Sequence, residues 1–319
     1  MRLRTLVVPL LTCGIAGLQA SAQDSRPPVI DVHVHAGSGR TDASYYDVRA
    51  DETPDDAFLR STLTDLDTNG VVLALVGGPP VHAERFRRAE PDRIWGAVTF
   101  PCTDGLDPNL QTCFEDGGDW PDLAWLRAEA EAGRVRALGE LYNVYAGVRV
   151  DGPEMAPYLD LAAELDLVVL AHADAGPPPQ GRTPGCCPDF DGELGDPAHW
   201  GAVLERHPNL RLVLYHVFRP PFVESAVGLM DRYPNVMVET SPMTRAPTPL
   251  VYAALEQFVE AGHGDRIVFG SDDAGEIAGA LAVIRSAPLT DAQKRAVLHD
   301  NAVRFLRLSL GEAGGHGGW

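Results

Sequence analysis

Two histidines, separated by one residue, end the first apolar run of the chain, VIDVHVH from position 29. The β-branched, period-two pattern predicts a strand. Alternate side chains of a strand point to the same side, so His33 and His35 present two imidazoles in one direction. Paired imidazoles suit a transition metal, whereas a packed core would have to satisfy the polar atoms of both rings. Taken alone, the motif is equally compatible with two hydrogen-bonded strand histidines.

Polar residues of the same kind recur at the ends of later apolar runs: Glu140 lies near the end of the fourth strand, and His172, His216 and Asp272 each follow an apolar run. Buried imidazoles and carboxylates without partners cost about 1–3 kcal/mol each. A metal ion would satisfy several of them at once. This recurrence favours a metal site over a set of structural histidines.

The elements that position these residues alternate regularly along the chain. After the first strand, strands are predicted at 71–76, 94–100, 135–141, 167–171, 210–215, 236–239 and 267–269. Helices are predicted between them, and a last helix begins at the capping box of Thr290 and Gln293. Eight strands alternating with eight helices predict the α/β class and a (β/α)8 TIM-type barrel with a C-terminal extra helix. Strand ends meet on one rim of such a barrel, so the six polar residues should converge there.

The first 22 residues have the pattern of a signal peptide. Arg2 and Arg4 precede an apolar stretch at 6–18, and small residues at 20 and 22 predict cleavage after Ala22. The apolar run is too short for a membrane anchor. A lipoprotein signal through Cys13 is the weaker alternative. We therefore expect an exported protein, periplasmic or secreted, with a barrel domain at 23–310 and a flexible Gly-rich tail at 311–319.

Composition narrows the range of partners. The chain has 319 residues, 45% of them hydrophobic, which is enough for one large core, and a net charge of −19 with a single lysine, Lys294. Such acidity argues against nucleic acid and against an anionic membrane surface. We expect a small-molecule substrate and no membrane insertion after signal cleavage. The oligomeric state stays open, a homo-oligomer included.

Four cysteines remain after the predicted cleavage: Cys102, Cys113, Cys186 and Cys187. An even number in an exported chain makes them disulfide candidates, with three possible connectivities. Adjacent cysteines rarely pair with each other. The two cysteine-bearing loops follow the third and fifth strands, so we expect them to form a lid over the rim. Free or redox-active thiols are the alternative.

The ordered motifs resemble the amidohydrolase superfamily, in the amidohydrolase-related branch that includes aminocarboxymuconate-semialdehyde decarboxylase. The residues that carry the resemblance are Asp31-x-His33-x-His35, Gly139-Glu140-Leu141-Tyr142, His172, His216, Phe269-Gly270-Ser271-Asp272 and Asn301-Ala302-x-x-Phe305-Leu306. The similarity covers essentially the whole mature chain. The two cysteine-bearing loops depart from the family pattern, and Asp273 beside Asp272 offers a second candidate ligand.

The resemblance implies that His33, His35, His172 and Asp272 bind one divalent metal ion, usually zinc. His216 would then act as an acid, base or electrophile. Glu140 either orients a histidine or bridges two metals, in which case His216 becomes a ligand. Asp272 and His216 are the expected catalytic residues. Tyr142, Tyr145 and Arg219 are expected to bind substrate.

These parts support two reactions. A metal with an open position lowers the pKa of bound water, Asp272 can take the proton, and His216 can polarise a carbonyl. That set would hydrolyse an amide, ester or lactone of a small molecule, and predicted export favours this reading. Non-oxidative decarboxylation of a small carboxylic acid is the alternative, with Arg219 or Arg245 binding the carboxylate. A metal-binding protein without turnover is the second alternative.

Overall fold

The computed structural model describes residues 27–37, 47–102, 114, 118–176, 187–218, 221–241, 244, 248–309 and 311–312. The predicted signal peptide, most of the Gly-rich tail, Arg219, Arg245, Cys113 and Cys186 lie outside these ranges. No helix among the described residues is long and apolar enough to cross a membrane.

Eight parallel strands form one sheet in sequence order, which confirms the predicted barrel. The strands are β1 (Val29–His35), β2 (Val71–Gly78), β3 (Ile94–Phe100), β4 (Ala137–Leu141), β5 (Val168–His172), β6 (Arg211–Tyr215), β7 (Val236–Glu239) and β8 (Ile267–Val268). The ring closes where the amide of Val32 donates to the carbonyl of Phe269 (3.0 Å) and the amide of Asp272 donates to that of His33 (3.0 Å). The first strand and the segment after the last strand therefore meet at the predicted site.

Helices cover the outside of the sheet. They are α1 (Pro54–Asn69), α2 (Pro80–Ala89), α3 (Leu123–Glu131), α4 (Ala156–Glu164), α5 (Gly201–Arg206), α6 (Val223–Arg232), α7 (Thr248–Glu260), α8 (Ile277–Ser286), α9 (Asp291–Arg295) and α10 (Asn301–Leu306). Thr53 caps α1 by accepting the amide of Asp56, and Gly70 ends it in a left-handed conformation. The capping box of Thr290 and Gln293 is present. The predicted extra C-terminal helix is present and has a π-helical turn, Ala296–Asp300, between α9 and α10.

The apolar side chains divide into two clusters. The larger cluster fills the space between the sheet and the helices. The smaller one lies inside the barrel and includes Ile30, Leu73, Val213 and Met237, together with Ala302 and Leu306 of α10. Helix α10 therefore covers the amino-terminal end of the barrel. The polar residues lie at the opposite rim, where the carboxyl ends of the strands meet.

Candidate metal centre

The six predicted polar residues come together at the carboxyl ends of the strands. His33 and His35 lie on β1, Glu140 on β4 and His172 on β5. His216 directly follows β6, and Asp272 lies in the segment after β8. All six are at most 4% exposed. The rim thus concentrates four imidazoles and two carboxylates in a volume from which bulk water is excluded.

One group of donor atoms surrounds the His-x-His motif. Nε2 of His35 lies 3.1 Å from Nε2 of His33 and 3.1 Å from Oδ1 of Asp272. Oε2 of Glu140 lies 3.3 Å from His35 Nε2 and 3.4 Å from His33 Nε2. Asp272, and not its neighbour Asp273, supplies the carboxylate of this group.

A second group of donors faces the other oxygen of Glu140. Oε1 lies 2.5 Å from Nδ1 of His172 and 3.0 Å from Nε2 of His216. Nε2 of His172 lies 2.8 Å from the carbonyl oxygen of Gly176. Carboxylate and carbonyl oxygens only accept, so both ring nitrogens of His172 face acceptors, and Nδ1 is the nitrogen on the side of Glu140. Glu140 therefore lies between two separate sets of imidazoles.

This arrangement fits a divalent metal. Oε2 of Glu140 is buried and accepts no hydrogen bond from the described residues, although two imidazole nitrogens lie near it. A buried carboxylate oxygen without a donor is costly, and a cation among these nitrogens and oxygens would satisfy it. Each group offers nitrogen and oxygen ligands within a span of 4.8 Å, suitable for a metal ion.

Mutual attraction keeps the two kinds of group charged in the metal-free chain. Burial raises the pKa of Glu140, but the imidazoles of His216 and His172 outweigh burial and hold this pKa well below its ordinary value. Burial lowers the pKa of His33, but its interactions with Glu140, Glu239 and Asp272 outweigh burial and raise that pKa to about 10. A proton thus occupies part of the space that a metal would take, and metal binding must displace it.

The backbone is shaped to bring these side chains together. A β-carbon on Gly139, whose φ is +137°, would lie 2.2 Å from the carbonyl oxygen of Leu170, so only glycine lets β4 approach β5 closely just before Glu140. His216 and Asp272 both have left-handed φ values, 68° and 74°. Such conformations are unfavourable for residues with a side chain and are concentrated at functional sites.

Sequence reasoning missed two residues that contact these histidines, Glu239 and Ser241. Glu239 ends β7 and is completely buried, and Ser241 follows it two residues later. Oγ of Ser241 lies 3.0 Å from Nδ1 of His33 and 3.2 Å from Nδ1 of His216. The available signal was that a carboxylate ends an apolar strand at Glu239, as it does near the end of β4 at Glu140.

The other predicted site residues have different surroundings. Tyr142 and Tyr145, the expected substrate-binding tyrosines, are both buried, and the ring centroid of Tyr145 lies 5.4 Å from that of His172. Cys102 is buried two residues after β3, and Cys187 is buried in the loop that follows β5. Arg219 cannot be placed, because it is outside the described residues.

Comparison with solved structures shows the same fold. A probable 2-pyrone-4,6-dicarboxylic acid hydrolase from Acinetobacter baumannii is similar with a TM-score of 0.59 and 14% identity, over 88% of this chain and 99% of that one. An uncharacterised TIM-barrel protein from Bordetella bronchiseptica has a TM-score of 0.62 and 16% identity, over 90% and 100%. A 5-carboxyvanillate decarboxylase from Sphingomonas paucimobilis has a TM-score of 0.55 and 16% identity, over 89% and 100%. At these identities the likeness establishes the fold and not the reaction.

No curated protein matches the chain. The amidohydrolase family model, however, matches residues 30–308, a span that contains all six polar residues of the rim and both strands of the barrel seam. The resemblance drawn from the motifs is confirmed over nearly the whole described chain. The protein belongs to the amidohydrolase family, as a metal-dependent enzyme built on a TIM-type barrel.

Proposed function

We propose that the protein hydrolyses an amide, ester or lactone bond of a small molecule, using two divalent metal ions, with zinc the first candidate. The observation that carries the proposal is the position of Glu140. Its Oε2 faces the His33 and His35 group, and its Oε1 faces His172 and His216. A carboxylate shared in this way suits a bridge between two ions, and paired metals commonly serve hydrolytic displacement.

The chain's own residues then have distinct roles. Bound metal would supply Lewis-acid polarisation and a water of lowered pKa. His33, His35 and Asp272 would hold one ion and His172 and His216 the other, with Glu140 between them. Asp272 is also the group placed to accept a proton from the attacking water and deliver it to the leaving group. The left-handed backbone of Asp272, and the hydrogen bond from its amide to the carbonyl of His33, keep that carboxylate at the seam of the barrel.

Decarboxylation on the same site is the competing reaction. Three of the similar solved structures are decarboxylases, one acting on 5-carboxyvanillate and two on 2,6-dihydroxybenzoate. This reaction would need a cation that binds the substrate carboxylate, and both candidates named from the sequence, Arg219 and Arg245, are outside the described residues. The two reactions differ in their product, because only decarboxylation releases carbon dioxide.

The test combines metal analysis with a substrate screen. Purified mature protein, stripped and reloaded with zinc, should bind two ions and hydrolyse members of a panel of esters, lactones and amides. Asp272→Asn should abolish turnover. His207→Asn is the matched control. Nε2 of His207 lies 2.8 Å from Oδ1 of Asp160, and this pair is remote from the rim, so the variant should keep metal content and activity unchanged. Carbon dioxide release from aromatic acids without hydrolysis would instead establish the decarboxylase.

We also propose that the mature protein is exported after cleavage at Ala22 and carries disulfides. Burial of Cys102 and Cys187 supports the presence of disulfides. Peptide mapping of non-reduced mature protein should recover cysteine-linked peptides and an N-terminus at Gln23. Four free thiols in protein isolated under oxidising conditions would contradict the disulfides, and a retained leader would contradict export.

A further inference from the structure

The hydroxyl of Ser241 lies among three polar groups from three other positions in the barrel. It is 2.7 Å from Oε1 of Glu239, 3.0 Å from Nδ1 of His33 and 3.2 Å from Nδ1 of His216. The serine is 2% exposed, so solvent does not compete for these bonds. One side chain thus touches a histidine from each of the two donor groups.

The chemistry of the three partners fixes the direction of each bond. A hydroxyl has one hydrogen to donate and two lone pairs to accept with, and an ionised carboxylate can only accept. The hydroxyl of Ser241 therefore donates to Glu239. Its two lone pairs remain, and each accepts an imidazole N–H, one from His33 and one from His216. The hydrogen-bonding capacity of the serine is then fully used.

This direction settles which ring nitrogens are left for a metal. With Nδ1 protonated in both neutral histidines, the lone pair lies on Nε2. Nε2 of His33 points to the group of His35 and Asp272, 3.1 Å from His35 Nε2. Nε2 of His216 points to the other group, 3.0 Å from Oε1 of Glu140. Both free nitrogens therefore face the two sides of the proposed bridge.

Glu239 is held rigidly enough to orient the serine. Its Oε1 accepts the backbone amide of His216 at 3.0 Å, and its Oε2 accepts the amide of Ser241 at 2.6 Å. A β-carbon on Gly270 would lie 2.3 Å from Oε2, so the backbone of the β8 segment closes the remaining side. The carboxylate is completely buried and cannot turn toward water.

We propose that Ser241, oriented by Glu239, is a single positioning residue that sets the tautomer of two metal-binding histidines, His33 and His216. One residue of the β7 loop thereby prepares both halves of the centre. The inference rests on the metal centre of the proposed function. Carboxylate or hydroxyl partners behind metal-binding histidines typically contribute 10–100-fold to metal affinity.

The chain offers a matched control in the adjacent residue. Thr240 is also completely buried, but its hydroxyl contacts the backbone of Gly270, at 3.3 Å from the carbonyl oxygen and 3.2 Å from the amide, and no histidine. Thr240→Val removes a buried hydroxyl without changing the size of the side chain. Ser241→Ala removes the one that accepts from the imidazoles. Any difference between the variants therefore reports on the histidines rather than on packing.

The experiment measures cobalt binding and the exchangeable protons of the cobalt-loaded protein. Ser241→Ala should bind cobalt about 10–100-fold more weakly than wild type. In the proton spectrum, two hyperfine-shifted imidazole N–H signals should shift or be lost to faster exchange with water. Thr240→Val should match wild type in both measurements.

Two results would overturn the inference alone: an unchanged affinity and spectrum in Ser241→Ala, or an equal loss in Thr240→Val. Failure of the wild-type protein to bind cobalt would overturn the metal centre, and the inference with it. The two failures are therefore distinguishable. A loss confined to Ser241→Ala, with both N–H signals affected, would establish the double role of the serine.

Discussion

The imidazole of His33 lies almost flat on the ring of Tyr215, with the ring centroids 3.9 Å apart and the planes 20° from parallel. The hydroxyl of Tyr215 donates to the carbonyl of Val32, the residue before His33. Burial raises the pKa of Tyr215 well above its ordinary value, so this hydroxyl stays a donor. The tyrosine thus fixes both the plane of the histidine ring and the backbone beside it.

Tyr215→Phe should separate these two roles. The ring that supports His33 remains, so metal content should not change. The carbonyl of Val32 loses a buried donor, so unfolding free energy should fall by about 1–3 kcal/mol. Tyr158→Phe is the control, because its hydroxyl donates to the carbonyl of Pro121 at 2.9 Å, away from the centre. Urea unfolding measures the free energy of unfolding, and elemental analysis measures the metal content. Loss of metal in Tyr215→Phe would contradict the separation of the two roles of Tyr215.

The two donor groups predict different metal stoichiometries for single substitutions. His172→Ala removes a ligand from one half only, so the zinc content should fall from about two ions per chain to about one. His33→Ala should empty the other half. Glu140→Gln weakens both halves because each carboxylate oxygen faces its own group. Complete loss of metal in His172→Ala, from a starting value of one, would show a mononuclear centre with Glu140 as an orienting residue.

Metal binding should release a proton from His33 at neutral pH. In the metal-free chain the pKa of His33 is raised from 6.5 to about 10, and that of His216 is also raised. A raised folded-state pKa stabilises the fold fully below pH 6.5, and this stabilisation is lost as pH rises through about 10. The metal-free protein should therefore become less stable from pH 7 to pH 10.

Titration calorimetry at pH 8 in two buffers of different ionisation enthalpy would count the released protons. His33→Asn should release fewer protons and should show a flatter decline of metal-free stability with pH. Equal proton release by wild type and His33→Asn would contradict a protonated His33 in the metal-free centre.

Gly139→Ala should disturb the approach of β4 to β5. Its β-carbon would meet the carbonyl oxygen of Leu170 at 2.2 Å, so we expect a loss of about 2–4 kcal/mol in unfolding free energy and weaker metal binding through Glu140. Gly133→Ala is the matched control, because Gly133 also has a positive φ, +72°, but open space around it. Gly133→Ala should cost only about 1 kcal/mol of backbone strain and leave metal binding intact. Equal effects in both variants would show that backbone conformation, and not the contact with Leu170, constrains Gly139.

The barrel was predictable because its signals are local. Apolar runs that end in polar residues predicted β1, β4, β5 and β6. Thr53 and Gly70 predicted the two ends of α1. The roles of Glu239 and Ser241 were not predictable, because Ser241 meets His33 across 208 residues of sequence. The burial of Tyr145 was missed for a similar reason. Its ring packs on His172 and Phe190, and neither contact is visible in sequence spacing.

A metal ion at the seam between β1 and β8 would stabilise the fold as well as serve the reaction. Among the described residues, β8 and β1 are not paired as neighbouring strands, and the backbone contacts at this seam include two amide hydrogen bonds and the isolated bridge between Val34 and Asp272. An ion held by His35 and Asp272 would fasten together segments 237 residues apart in sequence. It would join the two ends of the sheet and stabilise the closed barrel by mass action. A shortage of metal would then expose the chain to unfolding and proteolysis, so that the metal supply around the protein would set its amount as well as its activity.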